Sequence, residues 1–451
     1  MQQNTQHPPH SPFRQKALNG YLQKYAEPEH CIATHTCFKA QASYSHCLVI
    51  PAFNETRDFV TRINTFNGIS GRLLLIIIIN QPDNVIDQQK NQSLWDYFCQ
   101  LDDDHKEQQP YSINNSSNTA FLFKSLSTNS DCLVIDRFTQ AIPRKKGVGL
   151  ARKIGGDIAC QLIYQQTLQS HWIHYSDADT HWPSTYFDAT ATLPSHYSAA
   201  VYPYKHAPSG DTLLDNATQQ YEASLHYYVD QLKQANSPYA YHTLGSCIAT
   251  NAYHYSQVRG FPKRSGGEDF YLLNKLAKVG SIFSLEKPTL LIDSRLSQRV
   301  PFGTGPAVEK IIDTYRKNEQ ETTKARLSIK PMPRIDYHPQ CFAELASLLQ
   351  HFNHLYDYKS AQSNTEKPSY AQWLNVLSPA LQQALHHIGV DVLFRHISKQ
   401  TNSPQQCIQH CHYWLDGFKT LKLIHLLTET YPKTIVPSIG IENNTDDADL
   451  S

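Results

Sequence analysis

Two closely spaced aspartates follow a short apolar run in the middle of the sequence. Asp177 and Asp179 flank one alanine directly after Trp172–Tyr175. Paired carboxylates in such a place can bind a divalent cation through hard oxygen ligands, and the cation can neutralise a departing diphosphate. The same spacing occurs elsewhere in the chain, but only this pair follows an apolar run. We therefore predict a site at Asp177 and Asp179, with a helix-capping turn as the alternative.

A second acidic pair follows two glycines. Gly266 and Gly267 precede Glu268 and Asp269, and apolar residues at helical spacing come next. A carboxylate in this position can act as the general base that removes the proton from an attacking hydroxyl. The alternative is that Asp269 only caps the helix.

A basic segment precedes the first acidic pair. The sequence from Arg144 to Lys153 contains five cations and two glycines at the predicted start of a helix. Helix N-termini and lysine side chains attract phosphate groups. The segment therefore indicates a phosphate contact, unless it is only a solvated basic turn.

Two clusters of histidine and cysteine are the other candidate ligand sets. One lies near the N-terminus, over residues 31–47, and the other covers residues 407–412. Neither contains the paired short spacings of a standard zinc module. Because the chain has 23 histidines and 10 cysteines, coincidence accounts for both clusters more simply than a zinc site does.

The candidate catalytic residues follow predicted strands. Apolar runs typical of buried strands lie at residues 47–50, 73–79, 132–135 and 172–175. Segments with helical periodicity alternate with them, which predicts an α/β domain with a mostly parallel sheet flanked by helices. The carboxyl ends of parallel strands share one edge of a sheet, so the loops after these strands should face one crevice.

The strand signals stop after residue 305, and the remaining sequence has a helical pattern, which predicts a C-terminal all-α domain. Its predicted helices cover residues 342–349, 370–385, 390–396 and 408–428. The predicted division is an N-terminal extension (1–46), an α/β domain (47–305) with a polar insertion at about 80–130 that contains one helix (93–101), a linker (306–337), a helical domain (338–432) and a tail (433–451).

The composition limits the function classes. Lysine plus arginine and aspartate plus glutamate each number 40, whereas a nucleic-acid-binding protein is expected to carry a basic surface. The longest apolar run, Leu73–Ile79, is much shorter than a membrane-spanning helix. The first thirty residues lack the apolar core of a secretory signal, so the cysteines are expected to be reduced. We therefore expect a cytoplasmic protein with no transmembrane segment and no nucleic-acid partner.

Taken in order, the motifs resemble those of the family 2 glycosyltransferases. The chain reads Val-Ile-Pro-Ala-Phe-Asn-Glu over 49–55, Lys-Gly-Val-Gly over 146–149, Ser-Asp-Ala-Asp over 176–179 and Gly-Glu-Asp over 267–269. The similarity covers roughly residues 46–305. It implies the GT-A fold, a nucleotide-diphospho-sugar donor, a Mn²⁺ or Mg²⁺ cofactor and transfer of the sugar to an acceptor hydroxyl.

The resemblance also implies roles for individual residues. Asp269, beside Glu268, is the expected general base of an inverting displacement. Asp179, together with Asp177, is the expected metal ligand. The expected nucleotide-sugar-binding residues are Pro51, Ala52, Phe53, Glu55, Asn80, Asp83, Lys146, Gly147, Arg152, Asp177, Gly245, Ser246 and Arg299.

The second strand ends differently from the family pattern, which has a pair of aspartates there. Asn80 and Asp83 are the two candidates for the nucleobase contact, so the base specificity stays open. The donor sugar, the acceptor and the inverting or retaining outcome also stay open. The helical region matches no family pattern, and its candidate roles are acceptor binding and assembly of a homo-oligomer.

Two alternatives to a glycosyltransferase remain. A sugar-phosphate nucleotidyltransferase has a similar sheet but needs a glycine-rich phosphate loop after the first strand, and Pro51–Glu55 contains no glycine. A degenerate GT-A module would bind a nucleotide-sugar or a partner protein without catalysis. The loss of the aspartates after the second strand favours the degenerate module, and the presence of both acidic pairs counts against it.

Overall fold

The fold is described from a computed structural model of the 451-residue chain. The structure describes residues 11–38, 43–66, 68–101, 110–112, 119–296, 303–321, 334–360 and 369–436. The chain divides into two compact units. The first comprises Met1–Ala207 and Tyr241–Pro306, and the second comprises Pro208–Ala240 and Ala307–Ser451.

The first part of the chain alternates strands with helices. Its elements are α1 (Pro12–Lys24), β1 (His46–Ala52), α2 (Asp58–Thr61), β2 (Leu73–Pro82), α3 (Gln89–Gln100), β3 (Tyr111–Ser112), β4 (Ala120–Ser127), β5 (Ser130–Ile142), α4 (Gly147–Tyr164), β6 (Trp172–Tyr175), β7 (Thr180–His181), α5 (Asp188–Ala191), β8 (Tyr197–Val201), β9 (Tyr204–Ala207), α6 (Thr212–Gln234), β10 (Ile248–Asn251), α7 (Ala252–Gln257), α8 (Glu268–Leu276), β11 (Ser281–Ser284) and β12 (Leu290–Asp293).

The remaining chain is largely helical. Its elements are α9 (Thr304–Glu321), β13 (Arg334–Asp336), α10 (Pro339–His351), α11 (Leu355–Ser360), α12 (Tyr370–Asn375), α13 (Pro379–His387), α14 (Val390–Gln400), α15 (Pro404–Trp414), α16 (Gly417–Leu427) and β14 (Thr434–Val436).

The first unit is built around a nine-stranded sheet with the order β11-β8-β10-β6-β1-β2-β5-β4-β3. Only β4 and β10 run against the other strands, so the sheet is mostly parallel, as predicted. A smaller sheet has the order β7-β12-β9. The central strands β1, β2, β5 and β6 therefore carry the loops after residues 52, 82, 142 and 175 to one edge of the sheet.

The centre of the large sheet is buried on both faces. Residues 73–79 of β2 are fully inaccessible to solvent, which is why this strand is apolar throughout instead of alternating. Helix α4 covers one face at very short range. A Cβ atom at Gly155 of this helix would lie 2.3 Å from a methyl group of Val49, so the glycine allows the close packing that fixes α4 on the sheet.

The polar insertion differs from the prediction because part of it joins the sheet. The predicted helix is present as α3, and the strands β3 and β4 extend the sheet edge beside β5. Strand β5 also continues to Ile142, whereas the sequence predicted a loop after residue 135. The polar side chains of β3 and β4 obscured their strand character, because strands near a sheet edge expose one face to water.

The N-terminal segment belongs to the first unit and is fixed on α4 by buried polar groups. Lys153 donates to the carboxylate of Asp157 at 3.0 Å and to the hydroxyl of Tyr21 at 2.7 Å. The backbone N–H of Glu27 donates to the same carboxylate at 2.7 Å. The basic segment includes the first turns of α4, so α1 and the turn after it help to position this segment.

The second unit is helical, as predicted for the C-terminal region. The core of this unit includes Leu345, Trp373, Leu381, Leu393 and Leu423. Helix α6 also belongs to it, although the sequence placed residues 212–234 inside the α/β domain. The finer domain boundaries given above stay predictions. None of the helices in the described part of the chain is long and apolar enough to cross a membrane.

Two predicted helices of the second unit are each broken into two. The segment predicted as one helix over 370–385 forms α12 and α13, because Ser378 caps a new helix at the proline that follows it. The segment predicted over 408–428 forms α15 and α16, because the side chain of Asp416 accepts the N–H of Lys419 at 3.2 Å. Both breaks follow the expected preference for Ser and Asp at the start of a helix.

Candidate active site

The turn after β6 carries the first acidic pair and is held in a fixed shape. The N–H of Ser176 donates to the carbonyl of Val49 at 3.0 Å, and the N–H of Thr180 donates to the carbonyl of Asp177 at 3.2 Å. The hydroxyl of Ser176 accepts from the indole of Trp182 at 2.8 Å. The backbone of this turn is therefore anchored to β1, and its carboxylates project from the edge of the sheet.

Arg62, which follows α2, and Asp293 of β12 also support this turn. Arg62 donates to the carbonyls of Ala178 and Thr180 at 3.1 and 3.2 Å and to the carboxylate of Asp293 at 2.9 Å. The N–H of Asp293 in turn donates to the carbonyl of Asp179 at 2.9 Å. Neither Arg62 nor Asp293 was predicted from the sequence, since neither lies next to a recognisable motif.

Arg152 joins the two acidic pairs. This arginine projects from α4, and its side chain is 4% exposed. One nitrogen of its guanidinium pairs with the carboxylate of Glu268, and the other lies 2.5 Å from an oxygen of Asp177. A Cβ atom at Gly245 would lie 2.5 Å from the same guanidinium. The glycine therefore leaves the room that Arg152 needs to reach both carboxylates.

The second acidic pair begins α8 after a left-handed glycine, Gly267, with φ of 66°. Glu268 is buried, and Asp269 is partly exposed. Burial raises the pKa of Glu268 to about 7, and the negative charge of Asp269 adds to this shift. The positive charge of Arg152 acts in the opposite direction. Burial also raises the pKa of Asp269, although the N–H groups of Phe270 and Gly245 stabilise its ionised form.

Arg295 joins the first acidic pair to the loop after β1. Its two terminal nitrogens donate to the carboxylate of Glu55 at 2.8 and 3.0 Å, and one of them lies 2.6 Å from Asp179. Burial and the neighbouring charge of Asp177 raise the pKa of Asp179 to about 6, while Arg295 opposes the shift. The predicted site residue of the segment after β12 is Arg299, which lies outside the described residues; Arg295 was not among the predicted site residues.

The other predicted residues of the first two strands lie at the same sheet edge. Pro51 and Ala52 form the buried end of β1, and Phe53 follows them in the partly exposed loop. Asn80, near the end of β2, is 5% exposed. Its side-chain oxygen has no hydrogen-bond partner among the described residues. Asp83 is exposed, and its carboxylate accepts the N–H of Arg144 at 2.9 Å.

The predicted residues around α4 and β10 are more closely packed. Lys146 immediately precedes α4, and Gly147 has φ of 39° with no room for a side chain against Ser265. Ser246 is buried, with its hydroxyl 3.5 Å from the sulfur of Cys247. These contacts place the start of α4 directly against the chain that leads to Glu268.

An amide network beside Asn80 was not predicted. Asn91 of α3 donates to the side-chain oxygen of Gln81 at 2.8 Å and accepts the N–H of Asn54 at 2.9 Å. The network ties the loop after β1 to the end of β2. The sequence contains no signal for it beyond the polar residues after the strand, because Asn91 lies on a separate helix.

The carboxylates at this edge fit a divalent cation that is completed by a substrate. Glu55, Asp177, Asp179, Glu268 and Asp269 outnumber the cations that contact them, Arg152 and Arg295. The structure shows no group of three or more His, Cys, Asp or Glu side chains that could hold a metal among the described residues. Asp177 and Asp179 would therefore supply one or two ligands, as is usual where Mg²⁺ takes its other ligands from phosphates and water.

Comparisons with known proteins identify structural similarity only. No protein-family model and no curated protein matches the chain. Residues 1–349 of S. aureus TarS in complex with UDP-GlcNAc have a TM-score of 0.34 and 12% identity, covering 82% of this chain and 89% of that chain. Glucosyl-3-phosphoglycerate synthase from Mycobacterium tuberculosis, in complex with Mn²⁺, UDP and glucosyl-3-phosphoglycerate, has a TM-score of 0.30 and 10% identity, covering 66% and 86%.

The fold class can be assessed from the strand order itself. The central strands are parallel, the helices flank the sheet, and the motifs quoted above lie at the carboxyl ends of β1, β6 and at the starts of α4 and α8. The expected α/β fold, a mostly parallel sheet flanked by helices with an additional C-terminal helical region, is confirmed.

Proposed function

We propose that this chain is a metal-dependent glycosyltransferase of the family 2 type. It transfers a sugar from a nucleotide-diphosphate donor to an acceptor hydroxyl. The observation that carries the proposal is the ion-pair bridge in which Arg152 contacts both Asp177 and Glu268. The bridge joins the pair suited to metal and diphosphate with the pair suited to proton removal at one sheet edge.

Asp269 is the proposed general base. It is partly exposed, so an acceptor hydroxyl can reach it, whereas Glu268 is buried against Arg152. A general base must lie within hydrogen-bond reach of the proton that it removes. The N–H groups of Phe270 and Gly245 stabilise the ionised carboxylate, which keeps Asp269 able to accept a proton. The hydroxyl then attacks the anomeric carbon in a single displacement, with inversion.

The donor is proposed to bind across the ends of β1, β2 and β6. Asn80 has a buried amide oxygen without a partner among the described residues, which suits a hydrogen-bond donor on the nucleobase. Asp179 and Asp177 would hold Mn²⁺ or Mg²⁺, which would supply charge stabilisation to the leaving diphosphate. Arg295 lies beside Asp179 and adds a fixed positive charge at that place.

The non-catalytic alternative has one observation in its favour. An oxygen of each aspartate of the first pair is already engaged by an arginine, so the pair is partly neutralised without a metal. A degenerate module would bind a nucleotide-sugar in this state and would not turn it over. The two functions therefore differ in turnover and not in donor binding.

The test combines a binding screen with turnover. We expect one of the UDP-, GDP- and ADP-sugars to raise the melting temperature of the full chain, and Mn²⁺ to increase the effect. A ligand at 100 times its dissociation constant stabilises a protein by about 2.7 kcal/mol. Donor hydrolysis should then be measured with and without Mn²⁺. Donor binding without hydrolysis would support the degenerate module, and the absence of any donor binding would refute both functions.

The matched variants are Asp269→Asn and Asp211→Asn. Removal of a positioned base should lower turnover by about 10²–10⁴-fold and leave donor affinity unchanged. Asp211 is a capping aspartate, whose carboxylate accepts two helix N–H groups at 2.9 and 3.1 Å. Because asparagine caps helices as well as aspartate does, the control variant should keep its turnover. Equal turnover of both variants would assign Asp269 to capping alone.

A further inference from the structure

Two basic segments of the first unit lie in direct backbone contact. The N–H of Gly149, in the first turn of α4, donates to the carbonyl of Arg264 at 3.0 Å. A Cβ atom at Gly147 would lie 2.5 Å from the Cα atom of Ser265. The two glycines, which closely follow Arg144–Lys146, therefore hold the start of α4 against the backbone of the segment that contains Lys263 and Arg264. We call these five cations the basic rim.

The charge of the basic rim is largely uncompensated. Lys263 pairs with Glu27 at 2.9 Å, and the exposed carboxylate of Asp83 accepts the backbone N–H of Arg144 at 2.9 Å. The guanidinium of Arg264 lies 4.0 Å from the ring centroid of Tyr271. Among the described side chains, the cations at 144–146 and 264 form no ion pair with a carboxylate. Like charges held together in this way favour an anionic ligand.

Chain geometry limits the distance between the basic rim and the proposed base. Ser265, which touches Gly147, precedes Asp269 by four residues, a reach of at most about 14 Å along an extended chain. Along α4, Lys146 precedes Arg152 by six residues, or about 9 Å of helix. A small phosphate ester can therefore place its hydroxyl at Asp269 and its phosphate at the basic rim, because lysine and arginine side chains extend further toward it.

We propose that the basic rim binds a phosphate or carboxylate group of the acceptor, so that the acceptor of this enzyme is an anionic alcohol such as a phosphate ester. The inference rests on the proposed function. The alternative anionic group for the basic rim is the diphosphate of the donor. The acceptor is favoured because Arg295, which contacts Asp179 and not the second acidic pair, already supplies positive charge for the donor diphosphate in the proposed function.

The test uses a charge-reversal variant and a matched control in the full chain. The variant Arg144→Glu/Lys145→Glu changes two exposed residues of the basic rim, and Lys90→Glu/Lys205→Glu makes the same change of net charge at exposed residues elsewhere. The probes are glycerol and glycerol 3-phosphate, and glucose and glucose 6-phosphate. Binding is measured by calorimetry at low and high salt, and acceptor use is measured with the donor found in the screen.

We expect each phosphate ester to bind, and to be used, at least tenfold better than its parent alcohol. The preference should disappear in the basic-rim variant, persist in the control and weaken at high salt, because screening reduces such attractions. Donor affinity should stay within twofold of that of the wild type. Equal use of the alcohols and their esters, or no phosphate-ester binding to the wild type, would overturn the proposal. A parallel loss of donor affinity would assign the basic rim to the donor diphosphate instead. If the chain binds no nucleotide-sugar yet binds the esters through the basic rim, the proposed function fails and the anion site stands.

Discussion

Replacement of Arg152 by methionine should destabilise the first unit by several kilocalories per mole. Methionine keeps an unbranched side chain as far as the position of Nε and lacks the guanidinium group with its charge. The side chains of Arg152 and Glu268 are each 4% exposed, whereas the side chain of Asp177 is 36% exposed. Removal of one partner of a buried pair costs about 3–5 kcal/mol. The pair with Asp177 should add less than about 1 kcal/mol, because water screens it.

A second substitution should recover most of this loss. In the double variant Arg152→Met/Glu268→Gln, no buried carboxylate is left without its partner. We expect the double variant to be about 2–3 kcal/mol more stable than Arg152→Met alone, since the uncompensated buried charge is the main cost. The variant Arg152→Met/Asp177→Asn is the matched control, because Asp177 is half-exposed and its neutralisation should recover much less.

The pH dependence gives an independent check of the cause. The pKa of Glu268 is already raised to about 7 with Arg152 present, and removal of the guanidinium raises it further. A carboxyl group whose pKa is higher in the folded than in the unfolded state destabilises the protein at high pH. This loss of stability is recovered as the pH falls from the folded pKa toward the unfolded pKa, because the folded state then binds a proton. The difference in stability between wild type and Arg152→Met should therefore be largest near pH 8 and smaller near pH 5.5.

The assay is urea unfolding followed by circular dichroism at the two pH values. A shift of the midpoint at constant slope reports stability alone. If Arg152→Met unfolds at the same urea concentration as the wild type at pH 8, the buried ion pair does not contribute to stability and the prediction is wrong. Equal recovery of stability by Glu268→Gln and Asp177→Asn would also contradict it, because the cost of losing Arg152 would then not depend on burial.

The other predictions concern the metal, packing and a buried histidine. Asp179→Asn should abolish the increase in donor affinity caused by Mn²⁺ and leave the melting temperature of the ligand-free chain nearly unchanged. Titration of the donor with and without Mn²⁺ measures the affinity change, and an intact Mn²⁺ effect would contradict the role of Asp179 as a metal ligand. Gly155→Ala should lower the free energy of unfolding measured in urea, because its Cβ atom would lie 2.3 Å from a methyl group of Val49. Gly20→Ala should raise that free energy by about 0.5–1 kcal/mol, because no atom lies within 4 Å of its Cβ atom. Burial lowers the pKa of His174 to about 3. Above the pKa of the unfolded state, His174 is neutral in both states. As the pH falls below that pKa, only the unfolded state binds a proton, and the folded protein loses stability. The difference in unfolding free energy between wild type and His174→Gln should therefore shift by about 2 kcal/mol against the wild type between pH 7.5 and pH 5. A difference that does not change with pH would show that His174 has the same pKa in the folded and unfolded states, which contradicts the prediction.

Local patterns in the sequence determined the central strands and the positions of the motifs. The apolar runs of β1, β2 and β6 could be recognised because strands buried on both faces are continuously hydrophobic. Since parallel strands end at one edge of a sheet, the sequence also predicted that the loop after β1 and the turn at Asp177–Asp179 would lie together. The helical C-terminal region was recognisable from its periodicity, although the breaks before α13 and α16 were missed.

Tertiary structure alone decided which charges contact each other. The bridge from Arg152 to Asp177 and Glu268, and the bridge from Arg295 to Glu55 and Asp179, join residues on separate elements. Distance along the chain carries no information on such pairs. The pKa values of about 6 for Asp179 and about 7 for Glu268 follow from burial, which depends on the packing of several elements at once. The sequence thus determined the types of chemical group at this sheet edge, and the fold determined their charge states and partners.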